Sequence, residues 1–177
     1  MAASTINLPA GQKADRKLEM IFVNTGTAGG LEYQWELQGR GVEDASIEYN
    51  HDVEQTTDIL GMTDTDVSSS KPSMELDPNT IRGGQKLNEK LLDIERRQAT
   101  SEFGTFDVLL VHCYLGTATT GPFAAEVHHG CTVVPTSLGG SNYVGLPMNI
   151  YLSNDCELGT VTIARGVPTF TADDDAE

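Results

Sequence analysis

Two-residue alternation of apolar and polar side chains runs through most of this chain from residue 17 onward, and a single window breaks it with helical spacing. Leu18, Met20 and Phe22 fall on one side of an extended segment and Lys17 and Glu19 on the other, before residues 24–30 supply turn chemistry. Tyr33, Trp35 and Leu37 then alternate with Gln34, Glu36 and Gln38 until Gly39-Arg40-Gly41. Ile47, Tyr49, His51 and Val53 alternate with Glu48, Asn50, Asp52 and Glu54, so the second and third strands are expected to form a hairpin with one wet, strongly acidic face. Met74 and Leu76 suggest a short strand, and residues 106–115, 123–134, 146–153 and 161–164 return to strand chemistry between Gly, Pro, Ser and Asn clusters. The exception is residues 85–98. There Leu87, Leu91 and Ile94 stand at i, i+4 and i+7 among Lys86, Glu89, Lys90, Asp93 and Arg97, the pattern of an amphipathic helix of about four turns. Asp77-Pro78-Asn79-Thr80 reads as its N-terminal boundary. The expected fold is mostly β: two packed antiparallel sheets with one flanking α-helix.

A chain of 177 residues fits one domain with a core of its own. Residues 1–16 lack periodicity and read as an N-terminal arm, residues 17–171 as the domain, and residues 172–177 as an acidic tail. Within the domain, residues 55–73 form a polar stretch of Thr, Ser and Asp, read as a long interaction loop. Ile59, Leu60 and Met62 interrupt it with apolar surface and Asp64 and Asp66 with charge; the apolar residues either tuck under the domain or pack on another subunit.

The net charge of −15, from 26 acids against 11 Lys and Arg, repels polyanions, so binding nucleic acid by phosphate neutralisation is excluded. Such acidity either keeps the protein soluble or lets DNA pass without sticking. No apolar run is longer than that at residues 108–111, far below the ~20 a membrane-spanning helix needs. The N-terminus has neither a basic start nor an apolar h-region, which points to a cytoplasmic beginning. Cys113, Cys131 and Cys156 are odd in number and lack CxxC spacing, so all three are expected reduced.

No nucleotide-binding glycine motif and no nucleophile elbow occur, so no catalytic residue and no cofactor are expected. His128 and His129 are adjacent and would point to opposite faces of a strand, while Glu126 and His128 share one. With His112 on a neighbouring strand, a cupin-like metal cluster of His112, Glu126 and His128 is conceivable, but no spacing forces the ligands together, and no metal is expected.

Thr57-Asp58-Ile59-Leu60-Gly61, the stretch from Ser73 to Asp77-Pro78, the lone helix, Val134-Pro-Thr-Ser-Leu-Gly-Gly140, Gly159-Thr160 and Pro168-Thr-Phe170 follow one another in the order seen in phage major tail tube proteins. Across roughly residues 17–171 the chain resembles that family, which also includes the inner tubes of contractile injection machines. The resemblance implies hexameric rings stacked into a hollow tube, assembled in a bacterial cytoplasm and carried in the virion tail. It further implies tape-measure, terminator and baseplate partners, and a lumen through which DNA passes without specific binding. On that reading Glu36, Glu48, Asp52 and Glu54 line the lumen, and Ile59, Leu60, Met62, Asp64 and Asp66 make contacts between rings. An inner tube of a contractile injection system or tailocin is the alternative; a small β-sandwich binding module or cupin-like metal protein is a more distant one.

Overall fold

The computed structural model describes residues 5–26, 33–116 and 120–173. Its strands are β1 (Glu19–Asn24), β2 (Trp35–Leu37), β3 (Ile47–Glu48), β4 (Asp52–Thr57), β5 (Thr63–Ser69), β6 (Ser73–Leu76), β7 (Phe106–Gly116), β8 (Phe123–Pro135), β9 (Met148–Tyr151), β10 (Cys156–Ala164) and β11 (Val167–Ala172). One helix, α1 (Lys86–Arg97), lies between β6 and β7. The fold class is as expected: mostly β, antiparallel, with one helix.

The long strand β8 organises the molecule. Its first part pairs with β7 and β10, whereas its end, Thr132 to Pro135, pairs with β9. One strand therefore serves both limbs of a curled nine-stranded sheet. One limb is β2-β1-β7-β8 with β10 and β11; the other is β8-β9-β6-β3. The β4-β5 pair forms a separate two-stranded sheet.

Between the limbs lies the main core. Ile21, Val23, Val108 and Leu110 meet Met74, Leu76, Val133, Met148 and Ile150, and α1 closes the gap with Leu87, Leu91 and Ile94, all at 0% exposure. The three helical residues are the stripe read at i, i+4 and i+7, and each stabilises the fold by about 1.5–3 kcal/mol of apolar burial. On the reverse of the long limb, Phe22, Leu109, Val111, Val127 and Val161 are covered by Trp35, Phe123 and Phe170. Gly159 permits that cover, because a Cβ there would sit 2.7 Å from the Phe170 ring and closer still to the Thr171 carbonyl oxygen.

The helix ends where Gln98 turns left-handed (φ 55°), with the Gln98 and Ala99 amides donating back to Glu95 and Ile94. It starts at Lys86, later than Asp77-Pro78 suggests. Asn79 is buried, and its amide donates to Asn88 Oδ1 and the Leu146 carbonyl, so this stretch docks the helix rather than opening it.

Three further expectations are corrected. First, β2 and β3 do not form a hairpin: β2 pairs with β1 and β3 with β6. Second, the strand expected to run from Ile47 to Glu54 breaks at Asn50, whose φ of 47° rotates the chain out of one sheet and into another. Third, residues 55–73 are no structureless loop but most of the β4-β5 hairpin and the return to β6. Strand β11, which follows β10 after Arg165-Gly166, carries no expectation from alternation.

Described residues near both ends hydrogen-bond to the body. Asn7 donates from its backbone to the Tyr114 carbonyl and from its side chain to the Cys113 carbonyl, so residues 5–7 follow the end of β7. The Asp173 amide donates to the Leu158 carbonyl. Residues 1–4 and 174–177 lie outside the described residues. Among those described, no helix is long and apolar enough to cross a membrane.

Candidate functional site

Strand alternation sorts the β4-β5 hairpin into two chemically distinct faces. Glu54 stands opposite Asp66 and Thr56 opposite Asp64, and Asp52 continues the same side, which makes an acidic face. On the other side Val53 opposes Val67, Gln55 Nε2 donates to Thr65 Oγ1 at 3.3 Å, and the hydroxyls of Thr57 and Thr63 meet at 3.0 Å. No lysine or arginine occurs anywhere from residue 52 to residue 69.

The turn that closes this hairpin is tightly built. Asp58 Oδ1 accepts the Leu60 and Met62 amides, both at 2.8 Å, the Asp58 amide donates to the Met62 carbonyl, and Gly61 supplies the left-handed residue (φ 81°). Ile59 and Leu60 are thereby held outward at 103% and 83% exposure, with Met62 at 67%. They do not tuck under the domain. The tip is thus an exposed apolar group fixed in place by its own turn, on a hairpin that two strands alone stabilise weakly.

The acidic residues assigned to two different surfaces from sequence thus share one: Asp52 and Glu54 lie on the same face as Asp64 and Asp66. Glu48 belongs to another patch, an open cleft it borders with Asp44, Glu75 and Asp77. Glu36 differs from both. Its Oε2 accepts the Lys86 and Leu87 amides at 2.8 and 3.1 Å and so caps α1 from β2, where the carboxylate charge also complements the helix N-terminus.

A second polar constellation crosses the long limb on the face it shares with Leu110. Glu19 Oε2 meets His112 Nδ1 at 2.9 Å, His112 Nε2 faces Glu126 Oε1 at 3.5 Å, and Glu126 Oε1 lies 3.7 Å from His128 Nε2. Cys156, the direct cross-strand partner of His128, places Sγ 3.9 Å from Glu126 Oε2. Burial opposes protonation of His112, but its bonds to Glu126 and Glu19 outweigh that and lift it to about 9. The imidazoles of His112 and then His128 hold Glu126 down to about 2. Burial depresses His128, but Glu126 and the Ser153 carbonyl together outweigh it, so it too ends above its ordinary value. Burial first, and the Glu126 charge second, push the Cys156 thiol up to about 11.

The structure brings together Glu126 and His128, as their shared face requires, with His112 one step away. Cys156 escapes sequence reasoning because only the pairing of β8 with β10 places it there. His129 faces the opposite way, toward Asp107 Oδ1 at 3.3 Å, as adjacency to His128 demands.

No protein-family model matches the chain, and no curated protein matches it by sequence. Solved structures resemble it, and one with a TM-score above 0.5 shares its fold. The sheath/tube terminator of the extracellular contractile injection system PVC, in its extended state, superposes with a TM-score of 0.51 over 85% of this chain and 99% of that one, at 10% identity. The tube-terminating cap of the anti-feeding prophage AFP gives 0.49, over 86% of this chain and 95% of that one, also at 10% identity. A chain of the PVC sheath-tube complex in the extended state gives 0.48 at 13% identity, with the same two coverages. The chain therefore has the fold of a contractile-injection tube terminator.

Proposed function

We propose that the chain is a structural subunit of a tail or injection tube, forming hexameric rings that stack around a channel, and that it catalyses no reaction. The observation that carries this reading is the fold shared with the PVC tube terminator across 85% of this chain and 99% of that one. The hairpin supports it independently: a fixed apolar tip and an acidic face are the parts a stacking ring needs. Ile59, Leu60 and Met62 bury against the next ring. Ring closure also covers strand edges that a free subunit would expose.

The channel acts through charge. Glu48, Asp52 and Glu54 face the lumen, and because Asp64 and Asp66 share a face with the latter two, they add to the same wall. Six copies of a chain with net charge −15 carry about −90 formal charges, and a phosphate backbone is repelled from such a lining rather than held by it. Screening acts over ~8 Å at physiological salt, so carboxylates near the channel axis dominate. In the virion tail the partners are tape-measure, terminator and baseplate proteins.

A second reading is favoured by the terminator fold: a tube or terminator component of a contractile injection system, whose channel conducts no genome. Negative-stain electron microscopy of the purified protein at high concentration tests the shared core of both. Rings or hollow tubes are expected, and monodisperse monomers at every concentration and in the presence of preformed tube ends overturn it. Tubes of Asp52→Lys/Glu54→Lys protein should retain DNA at low salt where unmodified tubes release it. Equal release by both removes these residues from the lumen.

A further inference from the structure

Three buried side-chain atoms among the described residues lack a hydrogen-bond partner, Glu19 Oε1, Asn149 Oδ1 and His128 Nε2, and of these only His128 Nε2 is a nitrogen. The His128 side chain keeps 9% of its exposure. Its Nδ1 lies 2.7 Å from the Ser153 carbonyl oxygen, which can only accept, so Nδ1 carries the proton and donates. In the neutral imidazole Nε2 then carries the lone pair, and that atom is buried without a hydrogen-bond partner. A buried polar atom with no partner calls for an explanation such as an ion or a water. An imidazole oriented by a backbone carbonyl behind it is the arrangement metal-bound histidines adopt.

The groups in front of Nε2 are metal ligands. The Glu126 carboxylate, His128 Nε2 and Cys156 Sγ lie within 4.8 Å of one another. A tetrahedral ion at about 2.0–2.3 Å from N, O and S donors sets those donors roughly 3.3–3.8 Å apart. The 3.7 Å from His128 Nε2 to Glu126 Oε1 and the 3.9 Å from Cys156 Sγ to Glu126 Oε2 are close to those edges, and a turn of the carboxylate that presents one oxygen to both partners is the adjustment the site requires. Two ligands are rigid because they sit on adjacent paired strands, β8 and β10, and the third is two residues along β8 on the same face.

We propose that Glu126, His128 and Cys156 bind one divalent ion of the zinc class, with a water in the fourth position. Binding turns the Cys156 thiol into a thiolate and releases its proton to solvent; no electron moves and the ion stays divalent. The mixed thiolate, imidazole and carboxylate set selects zinc over calcium or magnesium, which take oxygen ligands. Charges also close locally, since two anionic ligands balance the divalent ion. The role is structural. The ion fastens β10, and with it the β10-β11 hairpin, to β8, next to the cleft lined by Tyr49, Ser70 and Pro72 at the base of the β4-β5 hairpin.

The test uses untagged full-length protein, stripped with a chelator and titrated with Co²⁺, then Zn²⁺. One Co²⁺ per chain is expected, with a thiolate-to-cobalt charge-transfer band that stoichiometric Zn²⁺ abolishes. Cys156→Ser, which keeps the shape of the side chain, should lose the band while Cys113 and Cys131 remain in place as internal controls. His128→Gln should weaken binding by more than the ~10–100-fold typical of removing an outer-shell partner. A Co²⁺ titration without the charge-transfer band overturns the site, as does equal binding by unmodified and Cys156→Ser protein. Should His128→Gln fail to fold, the Cys156→Ser comparison decides alone.

Discussion

Glu54 on β4 and Asp66 on β5 stand directly opposite each other, two exposed carboxylates facing across a hairpin that contains no cation. Like charges in that position destabilise a strand pair. The hairpin therefore carries an electrostatic penalty that folding alone does not require.

Replacing one member makes the penalty measurable. Glu54→Lys converts repulsion into attraction and should stabilise the free subunit by about 0.2–1 kcal/mol, near the lower end because the pair is solvated. Urea unfolding of the subunit reads this directly, and a loss of stability would contradict the cross-strand register.

The hairpin tip should separate assembly from folding. Ile59→Ser/Leu60→Ser removes apolar groups that touch only solvent in the subunit, so its unfolding free energy should stay within about 0.5 kcal/mol. Polymerisation, followed by sedimentation, should fail. Tubes of normal length from this variant would take the tip out of the ring interface.

Glu36 should behave as a cap. Glu36→Ala leaves the Lys86 and Leu87 amides without their acceptor and should cost about 0.5–2 kcal/mol, the range for lost N-caps, while Glu36→Gln should recover part of it. An Ala variant as stable as the parent would mean that water replaces the carboxylate without loss.

The polar line on the long limb predicts a pH dependence for metal-stripped protein. His112 is raised to about 9 from an ordinary 6.5, so its contribution is complete below about pH 6.5 and disappears as pH climbs through 9. Glu126 is lowered to about 2 from 4.5, so its contribution is present above about pH 4.5 and disappears as pH falls through 2. Both contribute fully between these limits. Denaturant unfolding across pH 6–10 should show a decline that His112→Gln flattens, and an unchanged slope would detach His112 from Glu126.

Sequence periodicity was informative wherever one side of an element is dry. Leu87, Leu91 and Ile94 lie at 0% exposure because only one face of α1 meets the core, and hydrophobic spacing records that asymmetry. The β4-β5 hairpin has no dry side in the subunit, so Thr63 to Asp66 alternates only hydroxyl with carboxylate, and a hydrophobicity pattern cannot distinguish that from a loop. Asparagine at position 50 hid the break between β3 and β4 for a related reason: its left-handed φ is a backbone event that alternation of side chains does not register. The capping of α1 by Glu36 and the approach of Cys156 to His128 depend on which strands become neighbours, and alternation assigns faces without assigning partners.

Asn50 also bounds a cassette. Its side-chain amide donates to the Glu48 carbonyl, the Lys71 carbonyl and Ser73 Oγ, tying both feet of the hairpin to the body at one point. Everything between Asn50 and Lys71 can change length without disturbing the main core, but only in even steps along each strand. Adding two residues to each of β4 and β5 lengthens the hairpin and keeps carboxylates beside carboxylates. Adding one to each carries every acid beyond the insertion to the side now held by Val53 and Val67, so the parity of this short segment, more than its composition, decides which way its charge points.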